Sequence, residues 1–309
     1  MLAFVFPGQG SQYAGMGKEL CDEFSQAREV FEQADDALGQ NLTRLCHEGP
    51  EDQLRLTANT QPAILTASIA ALRVLQYETD FNANLLAGHS LGEYSALVAS
   101  GALDFADAVR IVRQRGTFMQ EAVPDGEGAM AAVLGVDAET LEQICSEAAK
   151  ADGKDEIVSP ANFNAPGQIV IAGHTTAVER AIELATERGA RRAMRLPVSA
   201  PFHCPLMLPA GDRLQSELEK VSVNPLNIPV VSNVEAAPYD DRNKTIELLV
   251  RQVSAPVRWE ESVRNMIDQG TERFIEIGPG KVLTGLIKRI DRKMPSANIE
   301  DIKSLKALV

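Results

Sequence analysis

The chain has 309 residues, enough for one large or two modest domains with a sizeable core. It is 45% hydrophobic and 24% charged, the balance of an ordinary globular protein. A net charge of -13 argues against general nucleic-acid binding, which needs a basic surface, and disfavours adhesion to an anionic membrane.

Leu2 to Phe6 is apolar, no basic stretch precedes it, and Pro7-Gly8 cuts it off, so it reads as a buried first strand and not as a signal peptide. No apolar run approaches the roughly 20 residues that span a bilayer, and the expectation is a soluble, cytoplasmic protein. Cys21, Cys46, Cys145 and Cys204 are scattered without Cys-x-x-Cys spacing, which points to neither a zinc site nor a disulfide framework. After the first strand comes Pro7-Gly8-Gln9-Gly10-Ser11, a loop rich in backbone amides. The spacing then predicts a helix over Met16 to Ala37 and another from Pro62 to Gln76, with Ile64, Leu65, Ile69, Leu72 and Leu75 on its buried side.

Leu85-Leu86-Ala87 reads as a strand end, and Leu91, Tyr94, Leu97 and Val98 are spaced as on a helix that Gly101 would close. Between them stands Gly88-His89-Ser90-Leu91-Gly92. A Gly-x-Ser-x-Gly at a strand-to-helix junction forms a nucleophile elbow, in which the serine hydroxyl stands clear and the next amide can hold an oxyanion. The plain alternative is a glycine-bounded turn with an ordinary serine; the flanking strand and helix favour the elbow. Asp104 caps a further helix reaching Glu121, and Pro124-Asp125-Gly126 closes the section.

The pattern then changes. Ala129 to Gly135 reads as a strand, Ala138 to Lys150 as a helix and Ile157 to Phe163 as a strand before the turn Asn164-Ala165-Pro166-Gly167. Gln168 to Ala172 is a strand, Thr175 to Arg188 a helix and Ala190 to Pro197 a last strand. This β-α-β-β-α-β order is the split arrangement of a ferredoxin-like unit, which predicts a small subdomain over 126–197 inserted into a larger one made of 1–125 and 198–309. In the larger one a helix starts near Leu206, Val230 to Asn233 is a strand end, and Ile246 to Gln252 and Trp259 to Gln269 are amphipathic helices. Phe274 to Ile277 is a strand, and Gly278-Pro279-Gly280 leads into a basic helix. Strands alternating with helices predict a mostly parallel sheet covered on both faces.

A serine hydroxyl needs a positioned base. Of His47, His89, His174 and His203, the first lies in a helix-loop region, the second adjoins the serine and leaves the elbow in another direction, and the third is in the inserted unit. His203 ends a rigid stretch bounded by Pro197 and Pro201, where the chain returns to the main sheet, and is the best candidate; a buried structural histidine is the alternative. Arg115 lies on the apolar stripe of its helix, four residues after Ile111 and three before Phe118. A buried guanidinium needs an anionic partner, either an internal Asp or Glu or a substrate carboxylate. Gly8-Gln9-Gly10 and Gly278-Pro279-Gly280-Lys281 each lack residues of a nucleotide-binding fingerprint. Gln9 and Gln12 are polar groups near the carboxyl edge of the sheet, where α/β sites lie.

In order along the chain, several segments resemble the malonyl-CoA:acyl-carrier-protein transacylases of fatty-acid synthesis. They are Phe6-Pro7-Gly8-Gln9-Gly10-Ser11-Gln12, Thr60-Gln61-Pro62-Ala63, Gly88 to Tyr94, Arg115-Gly116 with Met119-Gln120, and Asn162-Phe163-Asn164 with Pro166-Gly167-Gln168. Pro197-Val198-Ser199 ending at His203, then Ser232-Asn233, Gln252 and Glu276 to Leu283 complete the series.

The resemblance implies an α/β-hydrolase-like core with a mostly parallel sheet and an inserted ferredoxin-like subdomain. It implies a ping-pong acyl transfer in which Ser90 attacks the malonyl thioester of CoA with His203 as base. The oxyanion rests on the amides of Leu91 and Gln9, and the phosphopantetheine thiol of holo acyl carrier protein then takes the acyl group. Arg115 clamps the malonyl carboxylate, and Gln9, Asn233 and Phe202 also belong to the substrate-binding set. Phe202 suits a pocket with room for malonyl and little for an added methyl. A main-chain carbonyl near Gln252 orients the histidine, with Asn233 in the same supporting shell. No metal or bound cofactor is implied, and the enzyme is expected to act alone as a monomer. Two basic groups are candidate landing patches for the acidic carrier: Arg188, Arg191, Arg192 and Arg195, and Lys281, Lys288, Arg289, Arg292 and Lys293. The alternatives are a serine hydrolase on the same elbow, a methylmalonyl-selective acyltransferase, and a non-catalytic member that only binds carrier or synthase partners.

Overall fold

Short apolar runs become strands wherever both faces of the backbone are covered. The computed structural model describes residues 1–150, 156–198 and 200–308; Ser199 of the Pro197-Val198-Ser199 motif and the last residue of the expected 198–309 segment lie outside them. In chain order the strands are β1 (Leu2–Phe6), β2 (Leu85–Gly88), β3 (Gly128–Leu134), β4 (Val158–Ala165), β5 (Gln168–His174), β6 (Arg192–Arg195), β7 (Val230–Val231), β8 (Pro238–Tyr239), β9 (Arg273–Ile277) and β10 (Ser296–Ile299). They form two sheets. The larger has the order β10-β9-β1-β2-β7-β8, parallel throughout except for the β7–β8 pair. The smaller, β4-β5-β3-β6, is antiparallel, the order that a split β-α-β unit produces.

The helices are α1 (Lys18–Glu23), α2 (Ser25–Leu38), α3 (Leu42–Glu48), α4 (Glu51–Leu54), α5 (Thr57–Glu78), α6 (Gly92–Ala99) and α7 (Phe105–Glu121). After β3 and β5 come α8 (Ala138–Ala149) and α9 (Thr175–Glu187), which cover the small sheet. Then follow α10 (Leu208–Leu218), α11 (Thr245–Ser254), α12 (Trp259–Asp268), α13 (Val282–Ile290) and α14 (Ile302–Leu308).

Several boundaries differ from the sequence reading. The single helix expected over Met16 to Ala37 is two, because Phe24 takes an extended backbone between them. The helix expected from Pro62 starts at Thr57, with Pro62 in its second turn, where it cannot donate to the carbonyl four residues back. β4 continues to Ala165, so the turn is tighter than expected, and β6 spans only Arg192 to Arg195.

Two packing features aim the site. β1 and β2 pair in parallel with Phe6 opposite Gly88, so the loop after β1 and the turn after β2 emerge side by side. On α7, a Cβ at Gly116 would lie 2.6 Å from the Thr57 carbonyl oxygen, so glycine lets α7 press against the start of α5 and brings Arg115 to Gln61.

Candidate active site

The turn after β2 is possible only with glycines. A Cβ on Gly88 would sit 1.9 Å from the carbonyl carbon of Gly92, and one on Gly92 would sit 2.0 Å from the Phe6 oxygen. Between them Ser90 has φ 50°, the left-handed region that non-glycine residues avoid. Asn233 holds it there: its Oδ1 accepts from the Ser90 amide at 2.6 Å and its Nδ2 donates to the Gly88 carbonyl at 2.6 Å.

Ser90 Oγ lies 2.7 Å from His203 Nε2, and His203 Nδ1 lies 2.8 Å from the main-chain oxygen of Gln252. A carbonyl can only accept, so Nδ1 carries the proton and Nε2 presents a lone pair to the serine hydroxyl. Burial, and next the charge of Arg115, push the His203 imidazole down to about 3, so it is neutral at physiological pH. It too has a left-handed backbone, φ 61°.

Arg115 is 2% exposed. Its Nη1 donates to Gln61 Oε1 at 2.8 Å, and its Nη2 donates to Gln252 Oε1 at 2.9 Å and to Ser90 Oγ at 3.1 Å. Its Cζ is 5.5 Å from the centroid of the Tyr94 ring, a cation–π distance. Among the described residues no carboxylate makes an ion pair with it. The direct hydrogen-bond partners of the guanidinium are thus all neutral, and one of them is the serine oxygen.

These groups open on a cavity of about 120 Å³ lined by Gln9, Gln61, His89, Ser90, Leu91, Arg115, Met119, Met130, Asn162, Leu196, Val198, Phe202 and His203. Leu91 caps the N-terminus of α6, where amides and helix dipole favour an anion. Among the described residues neither the Leu91 nor the Gln9 amide has an acceptor. The Gln9 side chain is anchored by Nε2 donating to Thr57 Oγ1 at 3.2 Å, and the loop by Ser11 Oγ donating to the Gly8 carbonyl at 2.8 Å.

Of the residues singled out in the sequence, Ser90, His203, Arg115, Gln9, Leu91 and Phe202 meet at this cavity. Asn233, expected in the substrate-binding set, instead lies beneath the elbow, its side-chain amide spent on Gly88 and Ser90. Gln252 does more than offer its carbonyl: its side chain bridges Arg115, the Ser90 carbonyl and Glu93. Gln61 and Glu93 were given no role from sequence. Their signal was there: a glutamine in the apolar half of α5, and a carboxylate in α6, where Gly92 through Val98 are all buried.

The chain matches the family model described as an acyl transferase domain over residues 3–306. It is 48% identical over 308 residues to a malonyl CoA-acyl carrier protein transacylase of Bacillus subtilis (strain 168), covering 100% of this chain and 96% of that one. A 1.7 Å structure of an acyl carrier protein S-malonyltransferase from Vibrio cholerae superposes with a TM-score of 0.96 at 47% identity, covering 100% of this chain and 99% of the other. A malonyl-transacylase in complex with its holo type II PKS acyl-carrier protein superposes with a TM-score of 0.95 at 47% identity, covering 99% and 98%.

Proposed function

The chain belongs to the family of acyl transferase domains, and we propose on that premise that it moves a malonyl group from CoA to the phosphopantetheine thiol of an acyl carrier protein, in support of fatty-acid synthesis. The observation that carries this reading is Arg115, a buried cation without a carboxylate partner among the described residues, in hydrogen-bond contact with the nucleophile. Burial of an unpaired charge is costly, and an incoming carboxylate removes that cost. Arginine's planar fork suits a carboxylate.

The geometry supports the following steps. Ser90 Oγ gives its proton to His203 Nε2 as it attacks the thioester carbonyl, and the Gln252 carbonyl stabilises the imidazolium that forms through Nδ1–H. The tetrahedral oxyanion rests on the Leu91 and Gln9 amides. His203 returns the proton to the departing CoA thiolate, leaving a malonyl ester on Ser90 whose free carboxylate lies on Arg115. In the second half the carrier thiol gives its proton to His203 and attacks the ester through the same oxyanion. His203 then protonates Ser90.

A second cavity of about 230 Å³ shares Gln9, His89, Asn162 and Leu196 with the first and continues between β5 and α13. We assign it to the pantetheine arm. At its rim Arg289 Nη1 donates to Gln168 Oε1 at 2.7 Å. Arg188 pairs with Glu147 and Arg195 with Glu179, whereas Arg191 and Arg192 make no ion pair among the described residues. Arg191, Arg192, Lys288 and Arg289 are accordingly the carrier's landing groups in this reading. Residues 126–197 act as a subdomain that roofs the pocket, and Phe202 limits its depth toward malonyl. Among the described residues no helix is long and apolar enough to cross a membrane; a cytoplasmic monomer is the setting we assign.

The test is acid-quenched labelling with radiolabelled malonyl-CoA. About one label per chain, absent from Ser90→Ala and discharged onto added acyl carrier protein, is expected. Steady release of CoA into water with no transfer to the carrier would make the protein a hydrolase.

A further inference from the structure

Glu93 is the buried acid of the site that the transfer itself leaves unused. It is fully buried on α6, one turn after the elbow. Its Oε2 accepts from Gln252 Nε2 at 2.7 Å and from the Asn233 amide at 3.1 Å, whereas its Oε1 is buried and has no partner among the described residues. The Gln252 amide therefore joins two opposite charges: its NH2 faces Glu93 and its oxygen faces Arg115. Because Glu93 can only accept at Oε2, it fixes which end of that amide meets the guanidinium.

We propose that Glu93 is a positioning residue that sets the charge of the acyl pocket: through Gln252 it balances Arg115 when the pocket is empty, and it takes a proton from solvent onto Oε1 when a carboxylate-bearing acyl group occupies Arg115. The proposal rests on the reading of Arg115 as the carboxylate site. The proton has a place to go that breaks nothing, since Oε2 keeps both of its donors. Before loading, one cation faces one anion across an amide; after loading, one cation faces two anions in a water-poor pocket. Proton uptake restores the balance.

The surrounding groups leave this role to Glu93. Arg115 on α7 stays charged. Burial pushes the phenols of Tyr94 on α6 and Tyr239 on β8 up, so both stay neutral. His203 is held neutral, and Gln252 and Asn233 do not titrate. Burial raises the Glu93 carboxyl to about 7, within reach of such coupling.

The experiment compares acylation by malonyl-CoA and acetyl-CoA, as a ratio, in the wild type, Glu93→Gln and Arg115→Ala. Taking the ratio cancels any pH effect on the serine–histidine chemistry that both donors share. In the wild type the malonyl-to-acetyl ratio is expected to fall by about fivefold to tenfold between about pH 6 and about pH 8.5, within the limit of tenfold per pH unit for one linked proton. In Glu93→Gln, whose amide nitrogen takes the place of the protonated Oε1, the ratio should be flat and close to the wild-type value at low pH. A flat wild-type ratio, or an equal slope in Glu93→Gln, overturns the proposal. Arg115→Ala should lose malonyl preference at every pH. If it keeps that preference, the carboxylate site lies elsewhere and the proposal falls for that separate reason. Should Glu93→Gln fail to fold, proton uptake by the wild type on loading, read with an indicator dye near pH 7, decides: malonyl-CoA should draw up to about one proton more than acetyl-CoA, and equal uptake contradicts the assignment.

Discussion

The two sides of the acyl cavity are built differently. On the side of the large sheet, Ser90, Asn233, Gln252, Glu93, Arg115 and His203 form one continuous set of hydrogen bonds, with two of the six in left-handed backbone. On the side of the small sheet, the wall is Met130, Asn162 and Leu196, and the side-chain link to the elbow is His89 Nε2 to Asn164 Oδ1 at 2.8 Å. β4 is also tied to the segment before α12, where the Val257 backbone donates to the Ala161 carbonyl and accepts from the Phe163 amide. Chemistry needs atoms held to fractions of an ångström, and over-determined hydrogen bonding supplies that. A wall that meets different carriers needs contact area, which the small sheet offers.

This contrast is open to breaking. Asn233→Ala should have the largest effect, because it strands the Ser90 amide and the Gly88 carbonyl, each buried group costing about 1–3 kcal/mol. The expected outcome is a fall of about a hundredfold in the acylation rate, read by stopped-flow CoA release, together with a lower melting temperature. If acylation proved unaffected, the elbow would not need its lower support. A smaller effect is expected across the cavity. Charge reversal at Arg191 with Arg192, or at Lys288 with Arg289, should raise the carrier KM by about threefold to tenfold while acylation from malonyl-CoA stays the same. Unchanged carrier kinetics in both double variants removes those patches as the landing surface.

The smallest effect concerns Glu276, which accepts from the amides of Leu283 and Thr284 at the start of α13. Burial raises this carboxyl to about 7. In the native state it therefore holds a proton between its ordinary range near 4.5 and 7, where the unfolded chain does not, so it stabilises the fold at the acid end and loses that contribution as pH rises through 7. Glu276→Gln keeps an acceptor without the charge. Its melting temperature relative to wild type should climb by about 2 to 4 °C from pH 5 to pH 8. A pH-independent difference contradicts the assignment.

Much of this was legible in the residues, and the limits are instructive. The elbow could be read because strand, glycine pair and helix follow one another within a few positions. The β-α-β-β-α-β unit could be read because its two helices each bury one face and β3 and β5 are short apolar runs, although β6 buries none of its residues. β10 could not: it is an edge strand in which only Ile299 is buried, so it leaves no alternation. The break at Phe24 is equally silent, since apolar spacing continues through it. In the site, a local motif announced Ser90, and Arg115 declared itself as a charge on an apolar stripe. The link from Glu93 through Gln252 to Arg115 joins positions more than a hundred residues apart, which only the folded sheet brings together.

The central claim is that a buried arginine, without a carboxylate partner among the described residues, selects the acyl group. The most direct test is acyl-enzyme formation by Arg115→Ala from malonyl-CoA and from acetyl-CoA under the same conditions. The account predicts that malonyl loading falls by about a hundredfold or more while acetyl loading holds or rises, since only one donor carries the charge that Arg115 meets. An equal loss for both donors would contradict it and reduce Arg115 to a brace for the Ser90 hydroxyl.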